Sequence, residues 1–267
     1  MSQVPSLTHV LDEDPDLAIG LQGSRRSLAR RRAVAPVARL DPGPVDFIAA
    51  YGSASGWLGL LVLDGLILEH TTVLGRSRTQ VLVAGDVFCP WEIGDDCTLI
   101  ASSVRFELLT QTRVALLDAD FAERVGPWPE IASALVGRAD RRAHGHAVSR
   151  GLADYPRVDV RIVSLLWELA EKAGVAVADE TVVLPLPLTH RTIAMIVGCE
   201  RTSVTSALGS LSRDGLVLHD AGGWILHGSL PEQLEFLLTR GWKRPFAVVP
   251  GGAPSRRVRG FRTSSTG

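Results

Sequence analysis

One stretch constrains this chain more than any other: residues 188–228, LTHRTIAMIVGCERTSVTSALGSLSRDGLVLHDAGGWILHG. Thr189 precedes an apolar-periodic run and can cap it, its hydroxyl accepting from the free N–H groups of a first helical turn. Ile193, Ala194, Ile196 and Val197 then form one apolar face. Gly198 ends the helix, because glycine takes the left-handed conformation without a Cβ penalty. A second helix starts near Glu200 and places Val204, Leu208 and Leu211 at i, i+4 and i+7. Its other face carries Arg201, Thr202, Thr205, Ser206 and Ser212, and Asp214-Gly215 closes it. A hairpin follows, with a turn around Ala221-Gly222-Gly223. Helix, tight turn, helix and hairpin make the layout of a winged helix-turn-helix, which can set one helix in the major groove of DNA.

A helix–Gly–helix pair also occurs in plain helical bundles. Three features weigh against that: the turn is short, the second helix exposes small hydroxyls instead of Lys and Glu, and a Gly-rich hairpin follows at once.

The segment resembles the C-terminal DNA-binding domain of the Crp/Fnr superfamily of bacterial transcription regulators. IAMIVGCERTSVTSALGSLSRDGLV is similar to that family's helix-turn-helix signature, and the flanking LPLPLTHRTIA and GGWILHG resemble the variant common in actinobacterial members. With less specificity the resemblance runs over about residues 33–228. It implies an α+β chain with an N-terminal double-stranded β-helix (jelly-roll, cyclic-nucleotide-binding-like) domain, a long dimerisation helix and a C-terminal winged helix-turn-helix. It also implies double-stranded DNA with a pseudo-palindromic site, a second copy of the chain and RNA polymerase as partners.

The boundaries expected on this reading are an N-terminal extension over 1–32, a β-roll over 33–126 and a dimerisation helix with hinge over 127–155. The winged helix-turn-helix takes 156–228, and 229–267 hold a short helix and a basic, disordered tail. Within the β-roll, apolar runs punctuated by glycine and proline predict strands at 34–40, 47–50, 58–63, 66–72, 79–83, 98–101, 104–109 and 113–118, a rhythm suited to a barrel or jelly roll. In the first 32 residues the pattern predicts only a short amphipathic helix over 24–32. A long helix is expected over 128–154. Ile131 and Leu135 suit a coiled-coil-like seam there, and suit equally a helix packed on its own β-roll. Asp154-Tyr155-Pro156 breaks it and reads as a hinge. A further helix spans 158–172, a strand or extended link 181–186, and a short helix 231–239.

Composition adds limits. The chain has 267 residues, 46% hydrophobic and 21% charged, enough for two cored domains. The apolar run over 57–68 is too short to span a bilayer, and the acidic N-terminus lacks a signal peptide's features. Three scattered cysteines fit a reducing compartment, so a soluble cytoplasmic protein is expected, with no membrane partner. Charge is uneven: residues 40–126 hold five Lys/Arg against twelve Asp/Glu, and residues 229–267 hold seven against two. Arg25, Arg26 and Arg30 to Arg32 add a basic N-terminal cluster. An acidic sensor joined to a polyanion-binding module shows such asymmetry, and so does a globule with two solvated tails.

The resemblance assigns site residues one by one. Arg201 falls where the family reads a base, and its guanidinium matches guanine O6 and N7. Thr202 and Ser206 replace the family's glutamate and second arginine, so the operator should differ from the best-known family sites. Thr205 completes that face, and Thr189, His190 and Arg191 match positions that touch the DNA backbone, where a helix N-terminus favours phosphate. In the β-roll, cyclic-nucleotide-binding members carry a Gly-Glu pair and an arginine before Ser or Thr. Here Gly85-Asp86, Asp95-Asp96 and Ala101-Ser102 stand instead, so cyclic AMP is not expected to bind and no effector or ligand site is named. The aspartate pair is otherwise a solvated loop tip.

Cys89, Cys97 and Cys199 are too few for an iron–sulfur cluster. Cys89 and Cys97 are either a redox pair or idle thiols. His144 and His146 point to different sides of a helix, so only two copies of one histidine meeting across a dimer axis could serve a haem or metal. Phe88 and Trp91 line a pocket or belong to a core. No catalytic constellation, metal site or cofactor motif is found. The alternative to a DNA-binding regulator is a ligand-binding or protein-docking module whose winged helix contacts protein.

Overall fold

The computed structural model describes residues 6–52, 56–90, 102–178 and 180–239. The strand expected at 98–101, Asp95-Asp96, Cys97, Trp91 and the arginines of the C-terminal tail lie outside the described residues. The chain divides into two compact units, Met1–Ala147 and Val148–Gly267.

The first unit is built on two antiparallel sheets. Its strands are β1 (Ser6–His9), β2 (Val34–Leu40), β3 (Gly43–Val45), β4 (Gly59–Asp64), β5 (Ile67–Val73), β6 (Arg76–Leu82), β7 (Val87–Phe88), β8 (Ser102–Leu108) and β9 (Thr112–Leu117). One sheet runs β1-β2-β9-β4-β7 and the other β3-β8-β5-β6. Alternation along the strands produces two cores. Leu60, Val62, Val114 and Leu116 face inward and meet Ile67, Leu82, Phe106 and Leu108 of the other sheet. Their neighbours Leu61, Ala115 and Leu117 face the opposite way, with Ala35 and Val37, under a cover of helices. The first sheet is therefore buried on both faces, which is why residues 60–63 of β4 and 114–117 of β9 read as unbroken apolar runs.

That cover contains α1 (Val10–Glu13), a 3₁₀ turn (Pro15–Ala18), α2 (Gly23–Arg32), α4 (Ala119–Val125) and the start of α5 (Pro129–Ala153). Leu17, Ala29, Phe121, Trp128, Ile131 and Leu135 all lie in this cluster. Residues 6–32 thus do more than the sequence pattern suggests: β1 pairs with β2 from Ser6 opposite Val37 to His9 opposite Val34, and Val10 and Leu17 are fully buried. Ile131 and Leu135 pack on their own unit, the second of the two roles open to them.

Residues 47–50, expected as a strand, form α3 (Phe47–Tyr51) instead. Asp46 caps it by accepting from Ala49 N–H at 2.9 Å, and Phe47 anchors it edge-on to Phe88 and Phe106 at centroid separations of 5.2 Å. Phe88 is therefore a core residue.

After Leu135, α5 carries no further fully buried apolar side chain, and two arginines take over. Arg138 donates to the Asp14 carboxylate at 2.7 Å and to the carbonyl of Gly85, and Arg142 pairs with Glu69 of β5. Glu69 is only 5% exposed. Burial pushes Asp14 above the usual carboxylate range, with Arg138 pulling the other way.

In the second unit α6 (Val158–Ala173) buries Ile162, Leu166 and Leu169 and lies beside a four-stranded sheet ordered β10-β11-β13-β12. These strands are β10 (Val175–Ala178), β11 (Thr181–Leu184), β12 (Val217–Asp220) and β13 (Gly223–His227). Between β11 and β12 come α7 (His190–Val197) and α8 (Arg201–Arg213), and α9 (Leu230–Thr239) ends the described chain. Gln233 of α9 is wholly buried and fully bonded: its amide N–H groups donate to the carbonyls of Leu216 (3.0 Å) and His227 (2.6 Å), and its oxygen accepts from Trp167 Nε1 (3.1 Å). Among the described residues no helix is long and apolar enough to cross a membrane.

Candidate nucleic-acid interface

The site is assembled by local rules. Thr189 has extended backbone angles, and its hydroxyl accepts from the N–H of Thr192 at 3.1 Å, capping α7. Ile193, Ala194 and Val197 are buried, and Gly198 stops the helix in the left-handed region at φ +70°. Its N–H and that of Cys199 both donate to the carbonyl of Ala194, at 3.0 and 3.1 Å. Glu200 starts α8, which turns Val204, Leu208 and Leu211 into the core.

The opposite face of α8 is open. Arg201, Thr202, Thr205 and Ser206 are all exposed, as are Thr189 and Arg191 of the first helix, while His190 is half-buried. Among the described residues the guanidinium groups of Arg191 and Arg201 have no partner. Arg201 is the first residue of α8, where backbone N–H groups also lack helical acceptors. An arginine and a run of hydroxyls on the exposed face of α8, with Arg191 exposed on α7, suit a polyanion with readable base edges.

One exposed residue also makes contacts inside the domain. Thr205 donates to the carbonyl of Arg201 at 3.1 Å, and its oxygen lies 3.0 Å from His190 Nδ1. This contact clasps α7 to α8, so Thr205 ties the two helices together from within the exposed face. Nothing in the sequence announces such a pairing across fifteen residues.

The wing is set by close packing. At Gly223, φ +124°, a Cβ would sit 2.3 Å from the carbonyl oxygen of Leu184, so only glycine fits. Asp220 accepts from the N–H of Gly222 at 2.7 Å and shapes the tip. His219 lies against the buried Trp224 with ring centroids 4.4 Å apart and planes tilted by 54°, and an open cleft of about 640 Å³ separates this hairpin from the Pro185–Leu188 segment.

Other candidate chemistry is quiet. Burial pushes the Cys199 thiol up, against the opposing pull of Arg161, so it stays a protonated, poorly reactive thiol. Among the described residues no group of three or more His, Cys, Asp or Glu could hold a metal ion.

Residues 160–229 match the Crp-like helix-turn-helix domain family. Solved structures share the fold of the wider chain. FixK2 from Bradyrhizobium japonicum aligns with a TM-score of 0.55 and 17% identity, over 75% of this chain and 96% of its own. A CooA mutant from Carboxydothermus hydrogenoformans aligns at 0.56 and 17%, over 82% and 94%. A cyclic nucleotide-binding domain containing protein from Listeria monocytogenes EGD-e aligns at 0.56 and 14%, over 72% and 88%. No curated protein matches the chain by sequence. Residues 160–229 thus match a Crp-like helix-turn-helix domain, carried by a chain that shares the fold of FixK2 and CooA.

Proposed function

We propose that the protein is a homodimeric, sequence-specific DNA-binding regulator that reads a pseudo-palindromic site through α8 and does not respond to cyclic AMP. The observation that carries this is the pair of exposed, unpartnered guanidiniums of Arg191 and Arg201, on the two helices of a domain of Crp-like type. Arg201 reads a base edge together with Thr202 and Ser206. Arg191 and the start of α7, with Thr189 and His190, hold phosphates, and His190 with Thr205 keeps the helices in register.

The second copy joins through α5. With Ile131 and Leu135 buried in their own unit, the face left for pairing is Ala132, Val136, Ala139 and Ala143, at the four-three-four spacing of a coiled-coil seam. Val136 is 68% exposed there. Val136→Glu is expected to convert the dimer to a monomer in analytical ultracentrifugation at micromolar concentration; an unchanged dimer places the contact elsewhere.

The absence of a cyclic nucleotide response is supported by the sequence, where Gly85-Asp86 and Ala101-Ser102 stand in place of a Gly-Glu pair and an arginine before Ser or Thr. The deciding experiment is selection of genomic fragments by the purified protein at near-physiological salt, with and without cyclic AMP. Enrichment of one palindromic motif, unaffected by the nucleotide, is expected. Sequence-blind retention, or a motif that needs cyclic AMP, overturns the reading.

A further inference from the structure

We infer that Arg161 is a positioning residue that fixes the helix-turn-helix on the last turn of the long helix, and so sets the half-site spacing the protein accepts. The inference rests on the dimeric DNA-reading proposed above.

Arg161 lies on α6, and its Nη1 donates to two carbonyls at once: that of Ala153, the last residue of α5, and that of Val197, the last residue of α7, each at 3.0 Å. Both acceptors stand at helix C-termini, where the final carbonyls lack helical partners and the dipole favours a cation. A single planar group therefore caps two helices far apart in sequence. All the residues concerned lie in the second unit. Arg161 Nε is buried without a hydrogen-bond partner among the described residues, so the guanidinium is partly stripped of water to reach this place.

Only residues 154–157 link α5 to α6, and they are pinned at both ends. Arg157 pairs with Asp159 at 2.5 Å and donates to the carbonyl of Leu237, while Arg161 holds Ala153. The segment that reads as a hinge in the sequence is stapled to the body of the winged domain. Beyond Val197 the Gly198 turn and the His190–Thr205 clasp carry α8 as one piece with α7. If two copies pair along α5, this joint sets the angle and separation of the two reading helices.

The test measures affinity by fluorescence anisotropy for duplexes bearing the selected motif with native spacing, with one or two base pairs inserted between half-sites, and with a single half-site. The wild-type protein is expected to lose at least about tenfold in affinity on a two-base-pair insertion. Arg161→Ala should keep its single half-site affinity and bind the native spacing about tenfold more weakly, the scale of one lost charged hydrogen bond. Its penalty for the insertion should shrink to about threefold or less. If circular dichroism shows that this variant does not fold, Arg161→Met, which keeps the apolar stem and loses both donors, reads the same ratio. A variant that retains the wild-type spacing penalty, whatever its overall affinity, overturns the inference and leaves the dimeric reading standing. A wild-type protein with no spacing penalty overturns both.

Discussion

The long helix α5 and the reading helix α8 use arginine in opposite ways. On α5, Arg138 and Arg142 turn into their own unit and pair with Asp14 and Glu69, with all four side chains at most 16% exposed. On α8, Arg201 stands in the open with no partner among the described residues. A buried ion pair carries a desolvation cost and serves chiefly to fix one arrangement, whereas a free guanidinium on a surface contributes little until a partner arrives. The same side chain is therefore committed to structure in one unit and left free for a partner in the other, and its contacts, not its presence, tell which.

The comparison can be broken most forcefully at Glu69. Glu69→Ala leaves Arg142 buried and uncompensated, and is expected to cost about 3–5 kcal/mol in urea denaturation of the first unit. The double change Glu69→Leu with Arg142→Leu should recover most of that loss; equal destabilisation by both variants would show that packing, and not pairing, matters here. Arg201→Ala sharpens the other side. It should leave thermal stability within about 0.5 kcal/mol, yet cost about 1–3 kcal/mol in binding and relax one base position per half-site. Uniform weakening across all sequences would make Arg201 a phosphate clamp instead.

The smallest effect concerns pH. Burial depresses the His227 imidazole below its ordinary value of 6.5. The folded domain then binds this proton less readily than the unfolded chain, so the contribution is present above 6.5 and is lost as pH falls below it. Tm of the wild-type second unit should drop by a few degrees between pH 7 and pH 5, and Tm of His227→Gln should drop less. Parallel profiles would assign the acid sensitivity to other groups.

Much of this was legible in the residues, and the reason is locality. Thr189, Gly198 and the i, i+4, i+7 set Val204, Leu208 and Leu211 act within one or two turns, so the pattern alone places α7 and α8. The β-roll strands follow from apolar runs, but Phe47 carries the same apolar signal in a helix because Asp46 caps it. β1 has four residues and only one neighbour, too short for a periodic signature. The site is legible to the same depth. Its exposed members follow from helical phase, whereas the His190–Thr205 clasp, the Arg161 bridge and the Gln233 node join segments that only folding brings together.

The doubly buried first sheet also has a consequence for synthesis. Its outer face, with Ala35, Leu61, Ala115 and Leu117, is finished only by Ile131 and Leu135 at the start of α5. While the ribosome is still short of that helix, the emerging chain presents a broad apolar surface with its last cover missing, the condition in which nascent polypeptides stick to one another or to chaperones. A polypeptide halted before residue 131 should therefore depend on chaperone protection, and the same residues that bring α5 onto the sheet also end that vulnerable interval.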